Sequence, residues 1–498
     1  MREALLSAEL LTVFALVAVV LTVAGLTSGF VQRAPLSFPI VFLGLGFLLG
    51  GRGLSLLELD SHNPLLESVA TLTLALVLCL EAVRIGKESI EGASVVPVLS
   101  LGPGTLIIVS VVAGASYLLL GTSAVESLLL GTILASTDPV VLRDVVRNER
   151  IPRSVRQALN IEAGTNDIVV LPILLVLIAI ANAEAIGAAS WAVLMAQILL
   201  LGPVVGFGIG AGTAWLMSKA DARYGIGEVY QSLYGIGIVL LAFAAATALG
   251  GDGFLAAFAA GLAVAVLNFD LCECFLNFGE TVSEMAMLLS FILFGVVISD
   301  LFFGVPLVPT LLLAATVIFV ARPLAIWVVL HNAAVSNAAR AFIGWFGPRG
   351  LNSLLLALLV IQSGVAGGEF LLAVVGVVVT VSVVFHGASA TPLSTLYGRA
   401  VERATRDEER EGDAAGIFEG AAMGTPRVDV TELATSLEGD DPPLVLDVRT
   451  RSQYEKDRRL VPGAVRVRPD VVEEWARGWL EDHPDSQVRA QRIVAYCT

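Results

Sequence analysis

Long apolar runs follow one another from Leu5 to about Leu396, separated by short polar or Gly/Pro breaks. The hydrocarbon core of a bilayer, about 30 Å thick, needs about 20 apolar residues per helix. The runs divide into thirteen predicted helices, near 8–30, 36–51, 66–86, 94–120, 125–147, 155–181, 187–218, 228–249, 253–268, 276–300, 305–330, 338–363 and 368–390. The pattern changes near Arg399, where RAVERATRDEEREGDAAG is charged and poor in apolar residues and reads as a solvated helix or linker. From about Pro426 it changes again, to a soluble α/β pattern: LVLDV is a short buried strand, VVEEWARGWL a helix and RIVAYC a second strand. The expected organisation is a transmembrane domain over 1–395, a charged linker over 396–426 and a partial α/β domain over 427–498.

Composition narrows the class to an all-α polytopic membrane protein with a small tail. Of the 498 residues 56% are hydrophobic and 15% charged, against roughly 25% charged in soluble domains. The mean hydropathy is +0.83. A net charge of −15 argues against nucleic acid as a partner. Four cysteines in a chain this long are no disulfide framework. With the N-terminus outside and the C-terminus in the cytoplasm, the inner loops and helix ends carry eleven Lys or Arg residues against two on the other side, so an odd number of spans satisfies the positive-inside bias.

An ionisable side chain inside a membrane costs at least a few kcal/mol and is a functional-site hypothesis by default. Glu81, Asp138, Glu162, Asp167, Arg322 and Arg349 fall within predicted helices. Four acids against two arginines leave at least one pair of carboxylates to bind protons or cations. Asp138 is followed by Pro139, which lacks an N–H and clashes with the carbonyl four residues back, at Ala135. The helix is therefore expected to unwind there, and irregular backbone at that depth is tolerated only where it is buried or lines a cavity. Seven helices later Gly347-Pro348-Arg349-Gly350 makes a second interruption. Interrupted helices in corresponding positions point to a transporter built of two inverted repeats.

In the sixth helix, Asp167 shares a face with Ala163 and can meet Asp138, whereas Glu162 faces elsewhere and can pair with Arg349. Two carboxylates that approach each other either share a proton or hold a cation through hard oxygen ligands.

The stretch GTILASTDPVVLRDVVRNERIPRSVRQALNIEAGTNDIVVLPI, with GDGFLAAFAAGLAVAV, ARPLAIW and FGPRGLNSLLLAL after it, resembles the monovalent cation:proton antiporter-1 family, the sodium/proton exchangers. The resemblance covers nearly all of 10–390. It implies that Glu81, Asp138, Asp167 and the main-chain carbonyl of Thr137 surround the ion, and that Glu162 pairs with Arg349. The Asn166-Asp167 pair, where electrogenic relatives carry Asp-Asp, implies electroneutral one-for-one exchange. It further implies a homodimer, with Na⁺ and H⁺ as the transported ions and no resident cofactor. Where the family has a serine hydroxyl as a cation ligand, this chain has Ala163; water or the hydroxyl of Thr137 or Thr165 could replace it, Thr165 being the poorer because it points away from Asp167. This departure favours K⁺/H⁺ exchange as the alternative to Na⁺ or Li⁺.

Residues 428–498 resemble the opening of a rhodanese-like domain, through VDVTELATSL, PPLVLDVRTRSQYEK, VPGAVRV and IVAYC. The resemblance implies Cys497 as the persulfide cysteine, but with Thr498 the sequence reaches none of the loop that cradles it, so sulfurtransferase activity is not expected. A regulatory or protein-contacting tail is the expected role, with a sulfur- or redox-sensing one as the variant. The whole reads as a multi-pass secondary antiporter of a prokaryotic plasma membrane. An enzyme or redox sensor centred on Cys497, and a channel, are the readings from other classes; a channel needs no titratable sites that must be emptied in each cycle.

Overall fold

The computed structural model describes residues 8–31, 38–91, 99–146, 148, 151–182, 188–267, 269–331, 335–404, 430–437, 439, 442–447, 459–467, 475, 479 and 493–496. By contacts the chain separates into two compact units, Met1–Ala421 and Ala422–Thr498.

The first unit is helical. Its helices are α1 (Ala8–Val31), α2 (Phe38–Leu49), α3 (Pro64–Glu91), α4 (Thr105–Leu120), α5 (Ala124–Ile133), α6 (Pro139–Val146), α7 (Arg153–Asn182), α8 (Ala188–Ala196) and α9 (Gly202–Tyr224). They continue with α10 (Glu228–Ala248), α11 (Gly253–Leu267), α12 (Phe269–Leu301), α13 (Leu307–Thr316), α14 (Arg322–Val329), α15 (Asn337–Trp345), α16 (Leu351–Gln362) and α17 (Gly368–Ala404). Among the described residues, eight helical segments are long and apolar enough to cross a membrane, and five shorter apolar helices accompany them. Three π turns, Ser100–Gly104, Gln197–Leu201 and Val317–Ala321, lead into α4, α9 and α14.

Four ends overshoot the expectation by five residues or more: α3 runs on to Glu91, α9 to Tyr224 and α17 to Ala404, beyond the predicted 86, 218 and 390, and α12 starts at Phe269, before the predicted 276. Residues 396–404 are rich in good helix formers such as Ala, Arg and Leu, so nothing stops the helix where its apolar character ends.

Glycines set the closest approaches, as in membrane helix packing generally. A Cβ on Gly46 of α2 would run into the backbone of Ile292 on α12, and one on Gly206 of α9 into the backbone of Ala256 on α11. The largest buried cluster joins α3, α5, α12, α16 and α17 through residues such as Leu76, Leu130, Phe291, Leu354 and Val375. The helices that carry the interruptions therefore lie against the middle of the core.

The second unit contains α18 (Val430–Leu437) and a three-stranded parallel sheet, with β1 (Leu444–Asp447) between β2 (Val465–Arg466) and β3 (Ile493–Tyr496). Val445 pairs with Val494 across β1 and β3. Both predicted strands are present, over Leu444–Asp447 and Ile493–Tyr496. Of the predicted helix over 471–480 only Trp475 and Trp479 are described, both helical. Cys497 lies outside the described residues.

Candidate functional site

Both expected interruptions occur, and they cross. Helix α5 stops at Ile133 and α6 starts at Pro139; α15 stops at Trp345 and α16 starts at Leu351. Pro139 opens α6, where its missing N–H is harmless, while Pro348 forces the residue before it out of helical geometry. The backbone groups released by one break are taken up by the other. The Asp138 N–H donates to the Pro348 carbonyl at 2.9 Å. Asp138 Oδ1 accepts from Val140 N and Oδ2 from Leu351 N, each at 2.7 Å. One carboxylate thus caps the N-termini of α6 and α16 together, where the helix dipoles favour an anion. There is no room for a side chain at Gly350, whose Cβ would collide with the Asp138 carboxyl group.

The freed carbonyls of the first break meet a cation. Arg349 Nη1 donates to the Ala135 and Ser136 carbonyls at 2.8 and 2.9 Å. Ala135 is the residue whose carbonyl Pro139 was expected to expose, and it also accepts from Asn166 Nδ2 at 3.0 Å. Asn166 Nδ2 reaches Thr137 Oγ1 at 3.3 Å as well. Ser353 Oγ donates to the Ile133 carbonyl at 3.0 Å.

Asp167 accepts from Ser136 Oγ at 2.6 Å and from Asn352 Nδ2 at 2.8 Å. Glu81 is buried, and among the described residues neither of its carboxyl oxygens has a hydrogen-bond partner. Asp138 and Asp167 are both within electrostatic reach of Glu81, and of each other. A cavity of about 310 Å³ runs to Glu81 between α3, α6, α7 and α12; Pro139, Asn160 and Ala163 line it. Arg84 and Glu280, also in its lining, form an ion pair at 2.8 Å.

Two expectations are corrected. Glu162 does not pair with Arg349. It accepts from both terminal nitrogens of Arg322, Nη1 to Oε1 and Nη2 to Oε2, the second at 3.1 Å. The π turn before Arg322 shifts the helical phase and swings that residue toward α7, while Arg349 is occupied with the α5 carbonyls. Among the described residues no three His, Cys, Asp or Glu side chains are grouped to hold a metal ion, and N–H and O–H donors meet the oxygens of Asp138 and Asp167. The hydroxyl beside Asp167 belongs to Ser136, not to Thr137 or Thr165; Thr165 Oγ1 donates to its own helix, at the Ile161 carbonyl. Ser136, Asn352, Ser353 and Ser382 were missed in the sequence. Their only signal there is a polar residue in an apolar helix, beside a Gly/Pro break for Ser136, Asn352 and Ser353 and without one for Ser382.

Comparisons with known proteins bear on the family and the fold. A family profile described as "Sodium/hydrogen exchanger, transmembrane" matches residues 13–396. The K(+)/H(+) antiporter NhaP of Alkalimonas amylolytica is 27% identical over 71% of this chain and 61% of its own length. The K(+)/H(+) antiporter NhaP2 of Shewanella sp. (strain ANA-3) is 28% identical over 77% of this chain and 66% of its own. The chain thus spans less than two thirds of the length of these relatives. The fold is similar to that of the sodium proton antiporter MjNhaP1 from Methanocaldococcus jannaschii, with a TM-score of 0.62 at 19% identity, over 78% of this chain and 99% of that one.

Proposed function

From the premise that the chain belongs to the sodium/hydrogen exchanger family, a family of secondary transporters, we propose that it exchanges a monovalent cation for H⁺ across the plasma membrane by alternating access. The observation that carries this reading is the buried trio Glu81, Asp138 and Asp167, of which Glu81 lines a cavity. Carboxylates at such a site bind a proton or a cation but not both, which couples the two fluxes.

Of the trio, Glu81 is the one that lines the cavity, and its oxygens accept no hydrogen bond among the described residues. Asp138 and Asp167 complete the site once their hydrogen bonds rearrange, with the Thr137 carbonyl as a further oxygen ligand. Asn166, Arg349 and Pro139 shape the unwound backbone, and the Glu162–Arg322 pair frames it. Asn166 beside Asp167 supports electroneutral exchange. The cation is Na⁺ or Li⁺ in the first reading. K⁺ is the second, favoured by Ala163 in the cavity wall, which supplies no ligand oxygen, and by the names of the curated relatives.

The remaining parts of the proposal are thirteen spans in two inverted repeats, an outside N-terminus, a cytoplasmic tail and a homodimer. The tail is rhodanese-like and regulatory.

Purified protein in proteoliposomes with an imposed pH gradient tests the reading. Na⁺, Li⁺ or K⁺ added outside is expected to collapse the gradient, and Asp138→Asn and Asp167→Asn are expected to abolish the response with the protein still inserted. At lower pH, protons compete and half-maximal exchange needs more cation. Near-normal exchange in either variant would overturn the site, and a wild type silent to all three cations would overturn the function.

A further inference from the structure

In a continuous helix the Arg349 N–H would donate to the Trp345 carbonyl four residues back. The second interruption removes that bond and leaves both groups buried, where an unmade hydrogen bond is costly. Helix α17 supplies a partner to each, and the Trp345 carbonyl also accepts the Gly347 N–H at 3.0 Å. Ser382 Oγ accepts the Arg349 N–H at 2.8 Å. His386 Nε2 lies 3.0 Å from the Trp345 carbonyl. A carbonyl only accepts, and both ring nitrogens face one: Nδ1 also lies 2.8 Å from the Ser382 carbonyl, so the imidazole stands between two backbone carbonyls, and with the proton on Nε2 the Ser382 hydroxyl, 3.1 Å away, can donate to Nδ1. In that tautomer a chain of hydrogen bonds runs from the Arg349 N–H through Ser382 and His386 to the Trp345 carbonyl. Ser389 extends it by accepting from Trp345 Nε1 at 3.0 Å. The three α17 residues recur at i, i+4 and i+7, one helix face turned to the break.

Nothing in the ion chemistry requires a histidine here. His386 is 2% exposed and sits in a helix that is otherwise largely apolar. Its position is explained by the backbone it bridges. We propose that Ser382 and His386 are positioning residues of the exchange site. They hold Phe346–Gly350 in its extended form and thereby place the Arg349 side chain over the α5 carbonyls and the Leu351 N–H against Asp138. This role rests on the exchange reading above for its functional consequence but not for its structural one.

Two measurements on the full chain keep these apart. Hydrogen exchange followed by mass spectrometry reads the Arg349 amide directly. Ser382→Ala should speed its exchange roughly tenfold, the scale of one lost hydrogen bond, while Ser382→Thr keeps the hydroxyl and the protection. Cation-driven proton flux in vesicles reads the consequence. Ser382→Ala and His386→Leu should raise the cation concentration for half-maximal exchange severalfold per folded molecule, and His386→Gln, whose amide can still donate to Trp345, should recover most of it. Ser382→Ala removes a single atom, so it reports even where His386→Leu folds poorly. Unchanged amide protection in Ser382→Ala overturns the bridge. Lost protection or lost yield with unchanged apparent cation affinity overturns the positioning role. A wild type without cation-driven flux overturns the exchange reading and leaves the amide measurement standing.

Discussion

The C-terminal ends of α5 and α15 each leave carbonyls without helical partners, and each is met by an arginine. At α5 it is Arg349, on the carbonyls of Ala135 and Ser136. At α15 it is Arg322, whose Nε donates to the Ile343 carbonyl at 3.2 Å, with His386 on Trp345 beside it. The difference lies in what balances the charge. Arg322 is held on both terminal nitrogens by Glu162. Among the described residues Arg349 has no carboxylate at ion-pair distance, and its Nε and Nη2 have no partner at all. Around the second break charge is locked in a bidentate pair; around the first it is left to a set of acids whose protonation can change. A frame needs charges that stay matched, whereas a site that alternates between proton and cation needs charge that is matched only part of the time.

The largest expected effect tests the locked side. Glu162→Ala or Arg322→Ala leaves one buried charge alone and should lower stability by about 3–5 kcal/mol, read as a fall in thermal midpoint in detergent. A double-mutant cycle should show strong coupling for Glu162 with Arg322, and near-additivity within about 0.5 kcal/mol for Glu162 with Arg349. The reverse result would restore the pairing that the sequence suggested.

Gly350→Ala sharpens the other side by driving a methyl group into the Asp138 carboxyl. Exchange should fall to background while stability drops by roughly 1–3 kcal/mol, the usual range for overpacking; near-normal flux would show that Asp138 can move freely. A smaller effect is expected from Arg349→Lys, which keeps the charge but covers one carbonyl in place of two. A loss of about 1 kcal/mol, with exchange weakened but present, would separate the geometry of the fork from its charge. The least effect belongs to Thr165→Val. Its hydroxyl serves only the Ile161 carbonyl, so flux should stay within about twofold of wild type and stability within about 0.5 kcal/mol, whereas Ser136→Ala, which strips a donor from Asp167, should slow exchange more.

Much of this was legible in the chain because proline writes its consequence locally. Pro139 and Pro348 place the breaks to within a residue or two, and Asp138 and Asp167 stand out as acids in apolar helices. The partner of Glu162 was not legible. Both arginines sit at suitable depth, and the choice turns on the π turn Val317–Ala321, which rotates Arg322 and has no mark in an unbroken apolar run. Likewise the i, i+4, i+7 spacing of Ser382, His386 and Ser389 is visible in the sequence, but its meaning depends on which helix lies opposite. The donors on Asp138 and Asp167 were hidden for a different reason. Sequence lists the oxygens near a site, not the N–H groups that compete for their lone pairs.

Five hydrogen bonds join the two broken helices directly: Asp138 N to Pro348, Leu351 N to Asp138, two from Arg349 and one from Ser353. In mechanical terms the crossing is a rivet. Pulling the broken helices apart would expose five polar contacts at once in a place where water is not at hand, at roughly 1–3 kcal/mol for each buried group left unsatisfied. No thermal cycle of transport absorbs that sum. Whatever slides when the site changes the side it faces, these two helices travel together, and the shear falls on the apolar surfaces around them, where one van der Waals contact replaces another at little cost.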